Sequence, residues 1–334
     1  MTGAVPELRA GGLRISPPLL LAPMAGVTHT AFRRLLGELG GVGLYATEML
    51  SARSLPAEDP VASPYLRRTA AEAPLSYQVL VARPEEVGPA FEVLQALGAD
   101  AIDLNLGCPA PEARRRGAGG ALAAQPAAAR AVVREARRRT ALPLTAKIRL
   151  GERLDEEALR DLCCMLEGEG VELLTVHGRL RGEPYGRRPR WPWIGKVKGW
   201  VGIPVVGNGG IFSVEDAGRC LAESGCDGLM LGRGAVVRPW LFSRVAQEVF
   251  GGKGPVEGEL PSRPGLYRRY LDLVEESFAP ERRLGRIKEF TFYFSQTYPF
   301  GHTLATAVQS SRSLEEVRER SEAFFAANEP AGDE

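Results

Sequence analysis

The chain has 334 residues, of which 44% are hydrophobic and 25% charged, and its 42 Lys plus Arg against 41 Asp plus Glu leave a formal net charge of +1. Such a composition excludes collagen-like, disordered and coiled-coil chains, and the length accommodates one large α/β domain of roughly 250 residues with a smaller second one. The apolar stretch 19–24 near the N-terminus falls far short of the ~20 residues that a membrane span needs, and no basic flank precedes it, so a cytoplasmic protein without membrane association is expected.

In chain order, residues 4–18 alternate weakly around Gly11-Gly12 and suggest a small hairpin plugging the floor of whatever follows. Eight runs rich in Val, Ile and Leu come next, at 19–24, 44–49, 75–80, 101–108, 144–150, 173–179, 203–210 and 228–234. Continuous apolar runs mark strands buried on both faces, as parallel strands are, and the spacing leaves room for a helix between each pair. The intervening segments 84–97, 125–139, 155–169 and 213–224 place apolar residues at three- and four-residue steps, and Ser213 with Asp216 resembles a capped helix start. The expected fold class is therefore α/β, a (β/α)8 TIM barrel over residues 1–250, followed by a smaller all-α domain. A Gly- and Pro-rich linker is expected at 251–264, a helical domain at 265–328 with helices at 265–279, 281–298 and 313–327, and a disordered tail at 329–334.

In such a barrel the working residues gather at the C-terminal ends of the strands. Those ends carry Met24-Ala25-Gly26, Thr47-Glu48-Met49, Gln78, Asn105 with Cys108, Lys147 with Arg149, His177 with Arg179, Asn208-Gly209-Gly210 and Gly232-Arg233-Gly234. The glycines after the seventh and eighth strands expose backbone N–H groups where barrels hold a phosphate, and Arg233 adds charge. Gly117-Ala118-Gly119-Gly120 is not a dinucleotide fingerprint, because Arg114-Arg115-Arg116 rather than a strand precedes it.

Lys147 is the only Lys in any predicted strand, and its ammonium needs an anion, an acceptor or a structural partner such as Glu48 or Asp103. Gln78 and Asn105 carry amides suited either to the edge of a planar heterocycle or to ordinary hydrogen bonding behind it. The five Cys, at 108, 163, 164, 220 and 226, show no Cys-x-x-Cys spacing, and the three His, at 29, 177 and 302, are scattered, so neither a disulfide framework nor a metal site is expected. His177 is read as a hydrogen-bonding partner of an anionic ring or phosphate. Cys108, where the fourth strand opens into a loop, is a candidate proton donor to a reducible ring, whereas the other four Cys read as buried structural residues.

Leu21-Ala22-Pro23-Met24-Ala25-Gly26-Val27-Thr28, Thr47-Glu48-Met49, Asp103-Leu104-Asn105-Leu106-Gly107-Cys108-Pro109, Lys147-Ile148-Arg149, Thr175-Val176-His177-Gly178-Arg179, Asn208-Gly209-Gly210-Ile211 and Gly232-Arg233-Gly234-Ala235 resemble, in order and spacing, the tRNA-dihydrouridine synthases. The likeness extends to the tail, through Ile287-Lys288 and Ser313-Leu314-Glu315-Glu316-Val317, which resemble that family's helical tRNA-binding domain. It implies an FMN-bound barrel that takes hydride from NADPH and passes it from flavin N5 to C6 of a uracil ring, with Cys108 protonating C5. It further implies that Pro23, Met24, Ala25, Gln78, Lys147, His177, Asn208, Gly209, Gly210, Gly232 and Arg233 hold the cofactor. Asn105, Glu48, Arg149, Arg179, Arg114, Arg115 and Arg116 would meet the tRNA, and a monomer is expected.

Four features depart from the family pattern: His29 in place of Asp, Glu112 in place of Lys, Leu180 in place of Thr, and the loop 182–193. They bear on RNA contacts and target choice more than on flavin chemistry.

Local charge, not the net +1, carries the RNA expectation. Residues 112–139 hold eight Arg against Glu112 and Glu135, and residues 179–198 hold five Arg and two Lys against Glu183. These charges suit phosphates, with Tyr185, Trp191 or Trp193 to stack on bases, or else form solvated helix faces. Two other functions remain open from sequence: an FMN barrel acting on a small pyrimidine such as dihydroorotate, and a non-catalytic RNA-binding flavoprotein.

Overall fold

The computed structural model describes residues 5–60, 62–252 and 260–328; the tail expected at 329–334 and half of the expected linker, 253–259, lie outside them. Strands β1 (Leu8–Ala10) and β2 (Leu13–Ile15) form an antiparallel hairpin that turns at Gly11, whose φ of 54° lies in the left-handed region. Leu8, Ala10 and Ile15 share one apolar cluster with Leu20, Leu44, Leu173 and Val206, so the hairpin closes the floor of the barrel, as its sequence suggested.

The barrel strands are β3 (Leu19–Leu21), β4 (Tyr45–Ala46), β6 (Leu75–Leu80), β7 (Ala101–Leu106), β8 (Leu144–Arg149), β9 (Leu173–His177), β10 (Val205–Asn208) and β11 (Gly228–Leu231). They pair in parallel in the order β3-β11-β10-β9-β8-β7-β6-β4, and a Leu20–Leu44 bridge, with Leu21 N donating to Leu44 O at 2.9 Å, brings β3 back to β4 and closes the ring. Most strands begin where the apolar runs begin but stop two or three residues early. The last residues of several runs, among them Met24, Cys108, Arg179 and Gly210, leave the hydrogen-bonded ladder and become the loops of the upper face. The second run departs furthest: it breaks after Ala46 and resumes as β5 (Leu50–Ser51), which also pairs with β6.

Helices coat the outside. Asp155 accepts from Ala158 N at 3.1 Å and Ser213 from Asp216 N at 3.2 Å, each satisfying one of the amides left orphaned at a helix start. Among the described residues the tail contains four α-helices rather than three: Arg263–Ser277, Pro280–Phe294, Gly301–Gln309 and Leu314–Ala327. The stretch expected at 281–298 ends its α-helix at Phe294 and tightens into a 3-10 turn over Ser295–Thr297, and the next helix starts at Gly301, so close to Ser295 O that an added Cβ would lie 1.7 Å from that oxygen.

This tail is docked on the barrel rather than tethered to it. Within the tail Tyr270 and Phe290 stack with ring centres 3.8 Å apart, and against the barrel Phe32 of helix Thr30–Leu39 lies 6.1 Å from Phe290 while Arg34 pairs with Glu276 at 2.7 Å. Below that contact Arg33 and Glu72 form a fully buried ion pair of 2.6 Å, completed by Thr30 Oγ1 donating to Glu72. His29, one of the departures from the family pattern, is buried here edge-on to Phe278 at 4.7 Å. Among the described residues no helix is long and apolar enough to cross a membrane.

Candidate active site

The upper ends of the strands open into a cavity of about 400 Å³. Parallel register aligns its polar residues: Asn105 lies beside Lys147, and Asn208 beside His177. Asp103, buried beneath, accepts from Gln78 Nε2 at 2.6 Å and from Thr145 Oγ1 at 2.5 Å. Burial raises the Asp103 carboxyl above the usual carboxylate range, against the pull of those two bonds and of Lys147. Gln78 Oε1 in turn accepts from Asn105 Nδ2 at 2.7 Å. The side-chain Oδ1 of Asn105 accepts from Gly107 N and Cys108 N at 3.2 and 2.9 Å, so this chain of side chains fixes the turn that presents Cys108.

Lys147 Nζ donates to Asn208 Oδ1 at 2.8 Å. Burial, reinforced by the nearby Arg149, pulls its ammonium down to about 8, while Asp103 and Cys108 act in the opposite direction. Neither carboxylate considered as a structural partner forms an ion pair with it. Asp103 is taken by Gln78 and Thr145, and Glu48 is buried with one oxygen accepting from Gly26 N at 2.8 Å. His177 is held neutral: burial first, then Lys147, Arg149, Arg179 and Arg233, push its imidazole far below its ordinary value. Its Nε2 accepts from Arg179 at 3.0 Å.

The opposite wall is backbone. Gly209 has φ of 105° and Gly210 φ of 73°, and a Cβ on Gly209 would lie 2.5 Å from the His177 ring, so the chain passes this point only as glycine. Trp191 Nε1 donates to Gly209 O at 3.0 Å and fixes the turn from behind. Arg233 begins the short helix Arg233–Val237, its guanidinium 4.3 Å from the centre of the Tyr185 ring. Lys147, Arg149, Arg179 and Arg233 thus converge on a recess in which Glu289 is the one acidic residue among the described lining. None of these four cations has a carboxylate within 4 Å among the described residues. Amide groups suited to a ring edge, uncompensated cations and glycine-lined backbone suit a flat heterocycle carrying an anionic phosphate.

Cys108, Asn105, Pro23, Met24, Ala25, Gln78, Lys147, Arg149, His177, Arg179, Asn208, Gly209, Gly210, Gly232 and Arg233 all line this cavity. Glu48, Arg114, Arg115 and Arg116 do not. Glu48 lies behind the wall, Arg115 pairs with Glu112 on the exposed helix Pro111–Arg115, and Arg116 donates to Ser51 Oγ at 2.9 Å. Arg179 is buried and committed to the carbonyls of Tyr185 and Arg187, so it shapes the loop rather than facing outward.

Other expectations are corrected. Trp191 is 1% exposed and has no face to offer a base. The arginines of helix Pro126–Arg139 form a paired outer face: Arg130 and Arg134 with Glu169, Arg137 with Glu172, and Arg139 with Glu135. Cys164 is exposed, unlike Cys163, Cys220 and Cys226. Sequence reasoning missed Phe212, Met230, Glu289 and Tyr293 as cavity residues, named Met49 at a strand end without a role, and weighed Tyr185 only as a base-stacking group. Glu289 and Tyr293 come from helix Pro280–Phe294, and no local pattern signals which tail residues will reach a barrel mouth. Among the described residues no cluster of three or more His, Cys, Asp or Glu is placed to hold a metal ion.

A closed parallel barrel with a thiol, a neutral imidazole and a cationic, glycine-walled recess at its strand ends is the architecture of an enzyme of the (β/α)8 class, with a mouth whose chemistry suits an anionic planar ligand. The family described as dihydrouridine synthase matches residues 20–329, and the chain belongs to that family. It is 33% identical over 323 residues to a probable tRNA-dihydrouridine synthase of Mycobacterium tuberculosis, covering 93% of this chain and 83% of that one. It is 34% identical over 307 residues to a tRNA-dihydrouridine(16) synthase of Aquipseudomonas alcaligenes, covering 90% of this chain and 97% of that one. Among solved structures, histamine dehydrogenase from Rhizobium sp. 4-9 superposes with a TM-score of 0.56 at 13% identity, over 80% of this chain and 50% of that one. A 2-naphthoyl-CoA reductase gives 0.55 at 12% identity, over 72% of this chain and 51% of that one. The chain spans about half the length of these two structures, and at such identities the likeness is one of fold.

Proposed function

We propose that this protein reduces uridines of tRNA to 5,6-dihydrouridine, with FMN as its resident cofactor and NADPH as reductant, acting as a monomer in the cytoplasm. The observation that carries this reading is the convergence of four cations and a glycine wall on a single recess with Cys108 at its side. When bound, reduced FMN supplies the hydride that reaches uracil C6. The chain's own residues do the rest. Lys147, oriented by Asn208, presents positive charge to the electron-rich edge of the ring, and Gln78 and the neutral His177 offer hydrogen bonds to its periphery. Gly209, Gly210, Gly232 and Arg233 receive the phosphate.

Cys108 gives its proton to uracil C5, held at that station by the two amides that Asn105 Oδ1 accepts. A uridine in folded tRNA has to leave its stack to reach this depth, so recognition rests on backbone and shape. Arg114, Arg115 and Arg116 close the short helix Pro111–Arg115 that follows Cys108 and serve the phosphates of the RNA, and Arg149 serves the substrate beside Tyr185, whose hydroxyl it meets at 3.2 Å. Glu48 supports this face indirectly, through Gly26. Of the alternatives open from sequence, family membership through the tail weighs against a small-pyrimidine oxidoreductase, and the ordered Cys108 turn weighs against a non-catalytic RNA binder.

The test is reconstitution. The purified chain takes up FMN and turns yellow, and with NADPH it forms dihydrouridine in unmodified tRNA, mapped position by position. A colourless protein that refuses supplied FMN overturns the proposal.

A further inference from the structure

Glu289 is the single carboxylate among the described cavity-lining residues, and it reaches the barrel mouth from the tail. Its helix, Pro280–Phe294, is seated firmly: Ile287 and Phe290 are fully buried beneath it. A Cβ placed on Gly26, at the turn after β3, would meet Arg286 NH1 at 3.3 Å and Glu289 Cγ at 3.9 Å, so this helix face lies directly over the strand-end loop. The carboxylate is exposed at the mouth and has no cation within 4 Å among the described residues, although four cations line the same recess. Even Arg286, one turn back, is engaged by the Tyr65 hydroxyl.

An acceptor-only group retained without a partner in a recess otherwise rich in donors calls for an N–H donor in the ligand. Uracil offers one, because its edge reads acceptor, donor, acceptor through O2, N3–H and O4. Cytosine presents a bare lone pair at N3 and would face the carboxylate lone pair to lone pair. The cavity cations and amides can serve the two carbonyls of uracil, and only Glu289 adds an anionic acceptor for N3–H. We propose that Glu289 accepts the N3–H of the extruded uracil, so that the tail reads the identity of the base as well as binding RNA. This rests on the reading of the protein as a tRNA uridine reductase.

The test uses the FMN-loaded enzyme and tRNA assembled by ligation with either uridine or N3-methyluridine at the position that the wild type reduces. Methylation removes the donor and is expected to lower wild-type kcat/KM by about 10- to 100-fold, the weight of one hydrogen bond to a charged group. Glu289→Ala is expected to lose a similar factor on uridine and to suffer only about a further twofold from methylation, as a closed double-mutant cycle requires. Glu289→Gln keeps the bulk and an acceptor oxygen, and retains more uridine activity than the Ala variant. If methylation costs the Ala variant as much as it costs the wild type, or costs the wild type nothing, the assignment is overturned. A wild-type enzyme that reduces no uridine of tRNA overturns the underlying function instead.

Discussion

Replacing Lys147 by Met separates what its ammonium does for the ligand from what it does to the fold. In the folded chain its proton is held only to about pH 8, against 10.5 for an ordinary lysine. At about 1.4 kcal/mol per unit, that difference is a folding penalty of about 3.5 kcal/mol as an upper figure. Two features reduce it. The amine stands at the cavity wall, partly open to solvent, and Met leaves Asn208 Oδ1 without its donor at a cost of about 1 kcal/mol. The net expectation is a cofactor-free Lys147→Met protein more stable than the cofactor-free wild type by about 1–2 kcal/mol at pH 7.

The pH dependence is distinctive. The unfolded chain binds the proton more tightly, so the penalty is full below pH 8 and fades as pH rises toward 10.5. Urea midpoints of the two cofactor-free proteins, followed by tryptophan fluorescence at pH 7 and pH 10, should therefore converge at the higher pH. Added FMN should raise the midpoint of the wild type and leave that of the variant nearly unmoved. A Met variant less stable than wild type at pH 7, or a stability gap indifferent to pH, refutes the argument that this charge is held at the expense of the fold.

Cys108→Ala should keep its yellow colour and lose most uracil reduction, measured as dihydrouridine formed in tRNA; undiminished turnover rejects the thiol as proton donor. Changing Arg114, Arg115 and Arg116 together to Ala should weaken tRNA binding and lower the slope of log affinity against log salt by about one rather than three. The reason is that Arg115 is already paired with Glu112 and Arg116 tied to Ser51. An unchanged slope in a filter-binding series counts against any role for this rim in RNA binding. Arg33→Met strands the buried Glu72 carboxylate and should destabilise the protein by about 3–5 kcal/mol, seen as a lower urea midpoint. A loss below about 1 kcal/mol would mean that Glu72 finds another partner or takes up a proton.

How legible the architecture was follows from where burial is two-sided. Parallel strands covered on both faces must be apolar throughout, so runs such as 75–80 and 101–108 announce themselves. Their ends do not, because Cys108 or Gly210 continues the apolar or small-residue pattern after the ladder has stopped. The tail helix at 301–309 was lost for a related reason: its Thr- and Ala-rich sequence has a weak apolar stripe, and its start depends on one close backbone approach at Gly301. At the site, residues that stand at strand ends were found by position. Glu289 and Tyr293 were not, because they flank the Ile287, Phe290 and Phe294 stripe that reads simply as a buried face. Arg179 was legible as a residue but not in its use, since nothing in a sequence tells a guanidinium facing phosphates from one clasping carbonyls.

The loop after His177 shows how 42 basic residues yield so little free positive field. Glu183 accepts both guanidinium nitrogens of Arg190, at 2.5 and 2.8 Å, and also Leu180 N, and these contacts hold its carboxyl down at about 2. Arg179 closes the other side onto the carbonyls of Tyr185 and Arg187. A stretch that reads as a basic patch is therefore largely stitched to itself. What it delivers is geometry: Tyr185 is laid nearly parallel over His177, 6.3 Å between ring centres, with Arg149 and Arg233 within reach of its ring. Lys147, Arg149 and Arg233, which have no ion pair among the described residues, converge inside the recess, where a phosphate-bearing ring and an extruded base would meet.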